Sequence, residues 1–198
     1  MTPSAGVLPR LFAIQFLSWS AMFCLWVQGL PVIAGILGDR VEAAVPAVGL
    51  CFSGYALAAS VLAFGQPWLF ARVPAGVVHG LALLIGAGGM AILGKTTHAM
   101  WLFPAFAALA VCWSTMGTVP YAAAAAAARP GRGAATLRRF GFSTVLPQVA
   151  TTLGLAALAT RRSVPSADVM SLGAAELAVA GALTLYWHRW ISVTDQDW

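Results

Sequence analysis

The sequence predicts an all-α membrane protein with six transmembrane helices in one domain spanning residues 1–198. Three observations predict it. Of the 198 residues, 60% are hydrophobic and only 9% are charged. A soluble domain carries about 25% charged residues and needs them to cover its surface. Six apolar runs approach or exceed the ~20 residues that cross a bilayer core. The links between them also differ in arginine content from one side to the other, as the positive-inside rule requires.

The first run, roughly 11–37, follows Arg10. It is too long for the apolar region of a signal peptide and has no clear small-residue cleavage site, so it reads as a span. The second, roughly 45–70, follows the polar link Gly38–Glu42. The third, roughly 77–93, follows Ala71–Pro74 and is the shortest. The fourth, roughly 100–128, follows Lys95–His98 and is the longest; it carries GTVPYA and then runs on in alanine to Ala128. A basic loop leads to the fifth, roughly 140–159, and the sixth covers roughly 169–190.

With the N-terminus inside, Arg10, Arg72, Arg129, Arg132, Arg138, Arg139 and Arg189 lie on the cytoplasmic side. Arg40, Lys95, Arg161 and Arg162 lie outside. This imbalance places both termini in the cytoplasm. It also accounts for the net charge of +5 without a nucleic-acid partner. The expected location is a bacterial inner (cytoplasmic) membrane, with the lipid bilayer as first partner.

Helices in lipid have little hydrophobic drive to associate and rely on small residues that let backbones approach. Ala122–Ala128 offers such a residue on every face of two turns. Ala150 and Gly154, and Ala174, Ala178 and Ala182, repeat the theme at spacings of four. Compositional drift toward alanine is the competing reading of the run. Pro31, Pro67, Pro104, Pro120 and Pro147 each remove a backbone donor within a span. Such breaks are tolerated where neighbours satisfy the freed carbonyl, and they are common in transporters, where they line cavities or act as hinges.

The segments GTVPYA (Gly117–Ala122) and RGAATLRRFGFSTVLPQ (Arg132–Gln148) resemble the tenth and eleventh helices of the sucrose/proton symporters. That group, with the glycoside–pentoside–hexuronide cation symporters, belongs to the major facilitator superfamily. IQFLSWSAMF (Ile14–Phe23) resembles the seventh helix, GYALAASVLAF (Gly54–Phe64) is similar to the eighth, and Ser163–Trp187 is laid out like the twelfth. The resemblance covers nearly the whole chain and corresponds to the C-terminal half of a twelve-helix fold. It implies cation-coupled transport of a small solute such as a sugar. One departure stands out: where sucrose symporters carry acids late in the seventh helix, WVQGLPVI offers Gln28. The helices of the N-terminal half, which hold much of the coupling chemistry, have no counterpart here.

The candidate solute-binding residues are Trp19, Gln28, Tyr121 and Gln148, because amides suit sugar hydroxyls and aromatic rings suit sugar faces. Interhelical hydrogen bonding and interfacial anchoring are their competing roles. Gln15, a turn past Arg10, reads as a hydrated interface residue. Trp101, Trp187 and Trp190, at span ends, read as anchors. Glu176 is the candidate coupling-ion residue, a carboxylate about two turns into the sixth span and roughly 10 Å or more from its start. Ionisable residues at depth are functional hypotheses by default; the alternatives are a position close enough to the outer interface to stay hydrated, or pairing with Arg161 or Arg162. His79, His98 and His188 make no helical i, i+4 pair, and Cys24, Cys51 and Cys112 have no metal-ligand spacing, so no metal or other cofactor is expected. Ser53, in FSGY, lacks a histidine partner, and the loops are too short for an extramembrane catalytic domain, so the chain reads as a non-enzyme.

One six-helix half forms only one wall of a translocation path. The expected assembly is therefore a homodimer or a complex with a separate N-terminal-half partner, with faces of the first, fourth and fifth helices toward it. A non-transporting assembly subunit, or the remnant of a split transporter gene, is the alternative.

Overall fold

A computed structural model describes residues 6–38, 40–128, 130–160 and 164–191, with side chains as far as residue 189. Arg129, Arg161, Arg162 and the side chain of Trp190, all assigned above, lie outside the described residues. The described chain is helical throughout. Its elements are α1 (Val7–Ile36), α2 (Val41–Phe70), α3 (Ala75–Lys95), a short 3₁₀ turn (Ala99–Trp101), α4 (Leu102–Met116), α5 (Val119–Ala126), α6 (Gly133–Phe140), α7 (Phe142–Ala159), α8 (Ser166–Tyr186) and α9 (His188–Ile191). Six stretches are long and apolar enough to cross a membrane. These are α1, α2, α3, the 3₁₀ turn through α5, α6 through α7, and α8. The chain is an integral multi-pass membrane protein.

The spans start earlier than the hydropathy alone indicates, for a physical reason. Glu42 and Asp168 sit in the first turns of α2 and α8, where the positive end of the helix dipole favours an acid. A charge at these positions starts the helix instead of stopping it. Similarly, α3 begins directly after Pro74 and α8 after Pro165. The fifth span is extended backward by α6, whose last turn carries the exposed Arg138 and Arg139. Gly38 (φ 74°) and Gly131 (φ 75°) turn the chain at the α1–α2 link and after the alanine run, a left-handed conformation that favours glycine. The fourth span is not one helix: it breaks at Gly117–Thr118.

The helices alternate in direction. Gly76 lies against His188, Gly80 against Gly181 and Leu185, and Gly94 against Ala167 and Met170, so α3 and α8 run antiparallel in close contact along their length. Arg10 stands over the Trp187 ring at 5.5 Å and joins the first span to the end of the last. The closest packing is between α3 and α8, then α1 with α8 and α3 with α4; α7 lies on α1, and α2 on α4.

Glycines of α3 and α8 make this possible. A Cβ on Gly86 would lie 2.5 Å from Cys112 Cβ, one on Gly89 2.6 Å from the Ala105 carbonyl oxygen, and one on Gly173 2.3 Å from Met90 Cε. The small-residue packing expected of the alanine run is therefore carried mainly by α3. In α5 only Ala123 and Ala124 of the run are buried, with Val119 and Pro120. The helix ends at Ala126, and Ala122, Ala125 and Ala126 are exposed. Around Gly154 nothing lies within 4 Å of where a Cβ would be.

Burial is uneven. In α3 and in the fourth span 56% of the most apolar stretch is buried, against 11% in α2 and 17% in the fifth span. The most open faces thus belong to the second and fifth spans. The first, at 50%, and the fourth are half covered within the chain.

Candidate functional site

The break in the fourth span follows from its sequence. Pro120 has no N–H, so the carbonyl of Met116, four residues earlier, loses its helical donor. The chain turns at Gly117–Thr118, where the Thr118 N–H donates to Thr115 O (3.2 Å), leaving Ser114 O without that partner as well. Two glutamines from other helices supply the missing donors. Gln15 Nε2 of α1 donates to Met116 O (3.2 Å), and Gln66 Nε2 of α2 donates to Ser114 O. Thr118 Oγ1 in turn donates to Gln66 Oε1 (3.0 Å). A buried carbonyl left without a partner costs roughly 1–3 kcal/mol, so this arrangement holds the kink in one place. Gln15 is fully buried, not the hydrated interface residue its position past Arg10 suggests.

Beside the break, His79 is 1% exposed and its Nδ1 lies 2.8 Å from Thr115 Oγ1. The Thr115 hydroxyl donates to Cys112 O (3.1 Å), so it accepts from His79. That assigns the proton to Nδ1 and leaves the buried Nε2 unpartnered. His79 is the fifth residue of α3. The described residues contain no group of three His, Cys, Asp or Glu able to hold a metal ion.

A second polar junction lies deeper. Glu176 is the eleventh of the 21 residues of α8, about 15 Å from either end at 1.5 Å per residue. The earlier start of α8 places it nearer mid-span than the sequence alone indicates. Ser20 Oγ of α1 donates to Glu176 Oε1 (3.0 Å) and lies 2.8 Å from Thr151 Oγ1 of α7, from which it accepts. Three helices thus meet at one carboxylate. Its second oxygen, Oε2, is buried and unpartnered among the described residues.

Aromatic rings line the adjoining face. Trp19 packs edge-on against Trp26 and Trp113, with centroids 5.8 and 5.2 Å apart, and Trp26 packs against Trp113 at 5.2 Å. Tyr55 of α2 lies 5.9 Å from Trp113, and Phe52 and Phe106 extend the layer. Edge-to-face contacts of this kind add about 0.5–1.5 kcal/mol beyond burial.

The predicted residues fall into separate places. Trp19 and Glu176 flank Ser20 and its junction. Gln148, three residues before Thr151, lies on the same side of α7. Gln28 is nine residues beyond Trp19, about 13 Å farther along α1. Tyr121 is a strut at the other end: its hydroxyl is 2.9 Å from Thr144 Oγ1, and its ring meets Phe140 edge-on at 5.1 Å. Neither Gln28 nor Gln148 makes a side-chain hydrogen bond among the described residues. The sequence reading passed over Ser20, Thr151, Gln66, Thr115 and Tyr55. Only Gln66 carried a usable signal, as an amide inside an apolar run opposite a proline-broken helix.

No family model, curated protein or solved structure matches the chain.

Proposed function

We propose that this chain is a half-size transporter of the major facilitator type. It couples the movement of a cation to that of a small neutral solute such as a sugar, and it acts with a second six-helix unit. It would sit in a bacterial inner membrane with both termini cytoplasmic. The observation that carries this reading is Glu176. A carboxylate at mid-depth is costly to keep unless it has a task, and this one is held by Ser20 with one oxygen unengaged. A proton or small cation arriving there neutralises the charge, and the Thr151–Ser20–Glu176 chain conveys the change to α1 and α7. The break held by Gln15 and Gln66 supports the same reading, because irregular backbone at depth is tolerated where it lines a path or hinges.

A second reading, a membrane subunit that assembles with another protein and transports nothing, is favoured by the open faces of α2 and the fifth span. The two are separated by reconstituting the chain in vesicles loaded with a pH-sensitive dye and adding sucrose, maltose or raffinose as probes. The transport reading expects sugar-dependent proton entry in the wild type. It expects Glu176→Gln to abolish that entry while sparing sugar exchange. No probe-dependent flux, alone or with a co-purified partner, would leave the assembly reading.

A further inference from the structure

We propose that the groove at the C-terminal end of α3 holds the headgroup of one anionic phospholipid, with Lys95 on its phosphate and one acyl chain laid back along α3. The site does not depend on transport and would serve either reading above.

The groove encloses about 440 Å³ and is lined by Lys95, Thr97, His98 and Trp101, with Ala91, Ile92 and Thr96. It is open to the surroundings, since Lys95, Thr97, His98 and Trp101 are all exposed. Thr96 fixes the link that carries them: its Oγ1 donates to His98 O (3.3 Å) and accepts from the His98 N–H (3.1 Å). The Lys95 ammonium, the Thr97 hydroxyl and the His98 ring make no hydrogen bond or ion pair among the described residues.

These three groups can all donate. A phosphodiester offers only acceptor oxygens and one negative charge, and a charge-assisted bond from an ammonium to it is among the strong ones. No carboxylate lines the groove, so nothing there meets the cationic end of a zwitterionic headgroup. The chemistry therefore favours an anionic one.

The position favours lipid over a soluble anion. Lys95 closes a span of 21 residues, where headgroups lie. Trp101 is 43% exposed, with Met100 at 74% and Phe103 at 82% beside it, as suits an aromatic residue at the membrane–water boundary. From Lys95 an open stripe runs back along one face of α3 through Ile92, Gly88 and Ile85, at steps of three, four and three. Ile85 is 47% exposed, and nothing lies within 4 Å of where a Cβ on Gly88 would be. Ile85 is ten residues from Lys95, about 15 Å along the helix. That is half of the ~30 Å apolar core, the reach of an acyl chain in one leaflet. A soluble phosphate would use the donors and leave this stripe uncovered.

The test uses the full chain with Cys24, Cys51 and Cys112 replaced by alanine and a fluorophore on Met100→Cys. It is reconstituted in phosphatidylcholine vesicles that carry increasing shares of brominated phosphatidylglycerol. Bromine quenches on contact, so the quenching curve gives the preference of this site for phosphatidylglycerol over phosphatidylcholine. The expected preference is about fivefold. It should vanish in Lys95→Gln, persist in Lys95→Arg, and be absent for the same fluorophore on Leu57→Cys, exposed in the middle of α2. Circular dichroism and gel filtration would show that the variants remain folded. A lysine that only reaches for water gives no preference at Met100→Cys. That result, or a preference that survives Lys95→Gln, would overturn the proposal. So would loss of the preference when phosphate replaces chloride at constant ionic strength, which would mark the groove as a site for soluble anions.

Discussion

At the scale of single residues, glycines of one sequence type do different work. A methyl group at Gly89 would meet the backbone oxygen of Ala105 at 2.6 Å, and a backbone atom has little room to yield. Gly89→Ala should therefore destabilise the chain by about 1–3 kcal/mol through overpacking. Gly154 opens onto empty space. Gly154→Ala should be neutral, or stabilising by up to ~1 kcal/mol from helix propensity alone. Unfolding of both variants in the same micelles decides the matter, and equal effects would contradict the packing described. The sequence showed glycines in the third span, yet hydropathy does not say which face meets a neighbour. The alanine run drew attention because it is dense, whereas the spaced glycines of α3 carry the contact.

Among the elements, the broken fourth span makes the sharpest prediction. Restoring an N–H with Pro120→Ala gives Met116 O a local donor, so Gln15 loses its unique role there. Gln15→Leu should cost roughly 1–3 kcal/mol in the wild type and clearly less in the Pro120→Ala background. A double-mutant cycle of unfolding free energies measures the difference. Strictly additive effects would mean that Gln15 does not stand in for the missing peptide donor. Half of this was legible. Pro120 in an apolar run announces an orphan carbonyl by its chemistry. Which side chain answers it depends on which helices become neighbours, and Gln15 and Gln66 lie 101 and 48 residues from the carbonyls they satisfy. No local pattern joins positions so far apart. A further prediction at this scale concerns the link before α6: a reporter fused after Arg132 should read cytoplasmic in intact cells. A periplasmic reading would reverse the orientation inferred from the arginines.

For the molecule as a whole, six spans and their order were legible because hydropathy needs only composition along the chain. The uneven burial was not, since α2 and α3 are similarly apolar and differ in what packs on them. Only 11% of the apolar stretch of α2 is buried. If a second six-helix unit covers it, Leu57→Cys, at a site 68% exposed, should cross-link between chains in native membranes once Cys24, Cys51 and Cys112 have been replaced. Leu83→Cys, fully buried in α3, should not. A chain that stays monomeric and gives no Leu57→Cys product would remove the association from the proposed function.

The antiparallel seating of α3 on α8 also bears on how the protein is made. Gly80 and Gly181 face one another but leave the ribosome about a hundred residues apart, which at ~5–20 residues per second is a delay on the order of 5–20 s. Throughout that interval the glycine-lined side of α3 has no mate. The nascent chain must shelter it in lipid, in the insertion machinery or against α4 until the last span arrives. Slowing synthesis between α4 and α8 should therefore lengthen the exposure of α3, and of α1, which also packs on α8, to membrane proteases.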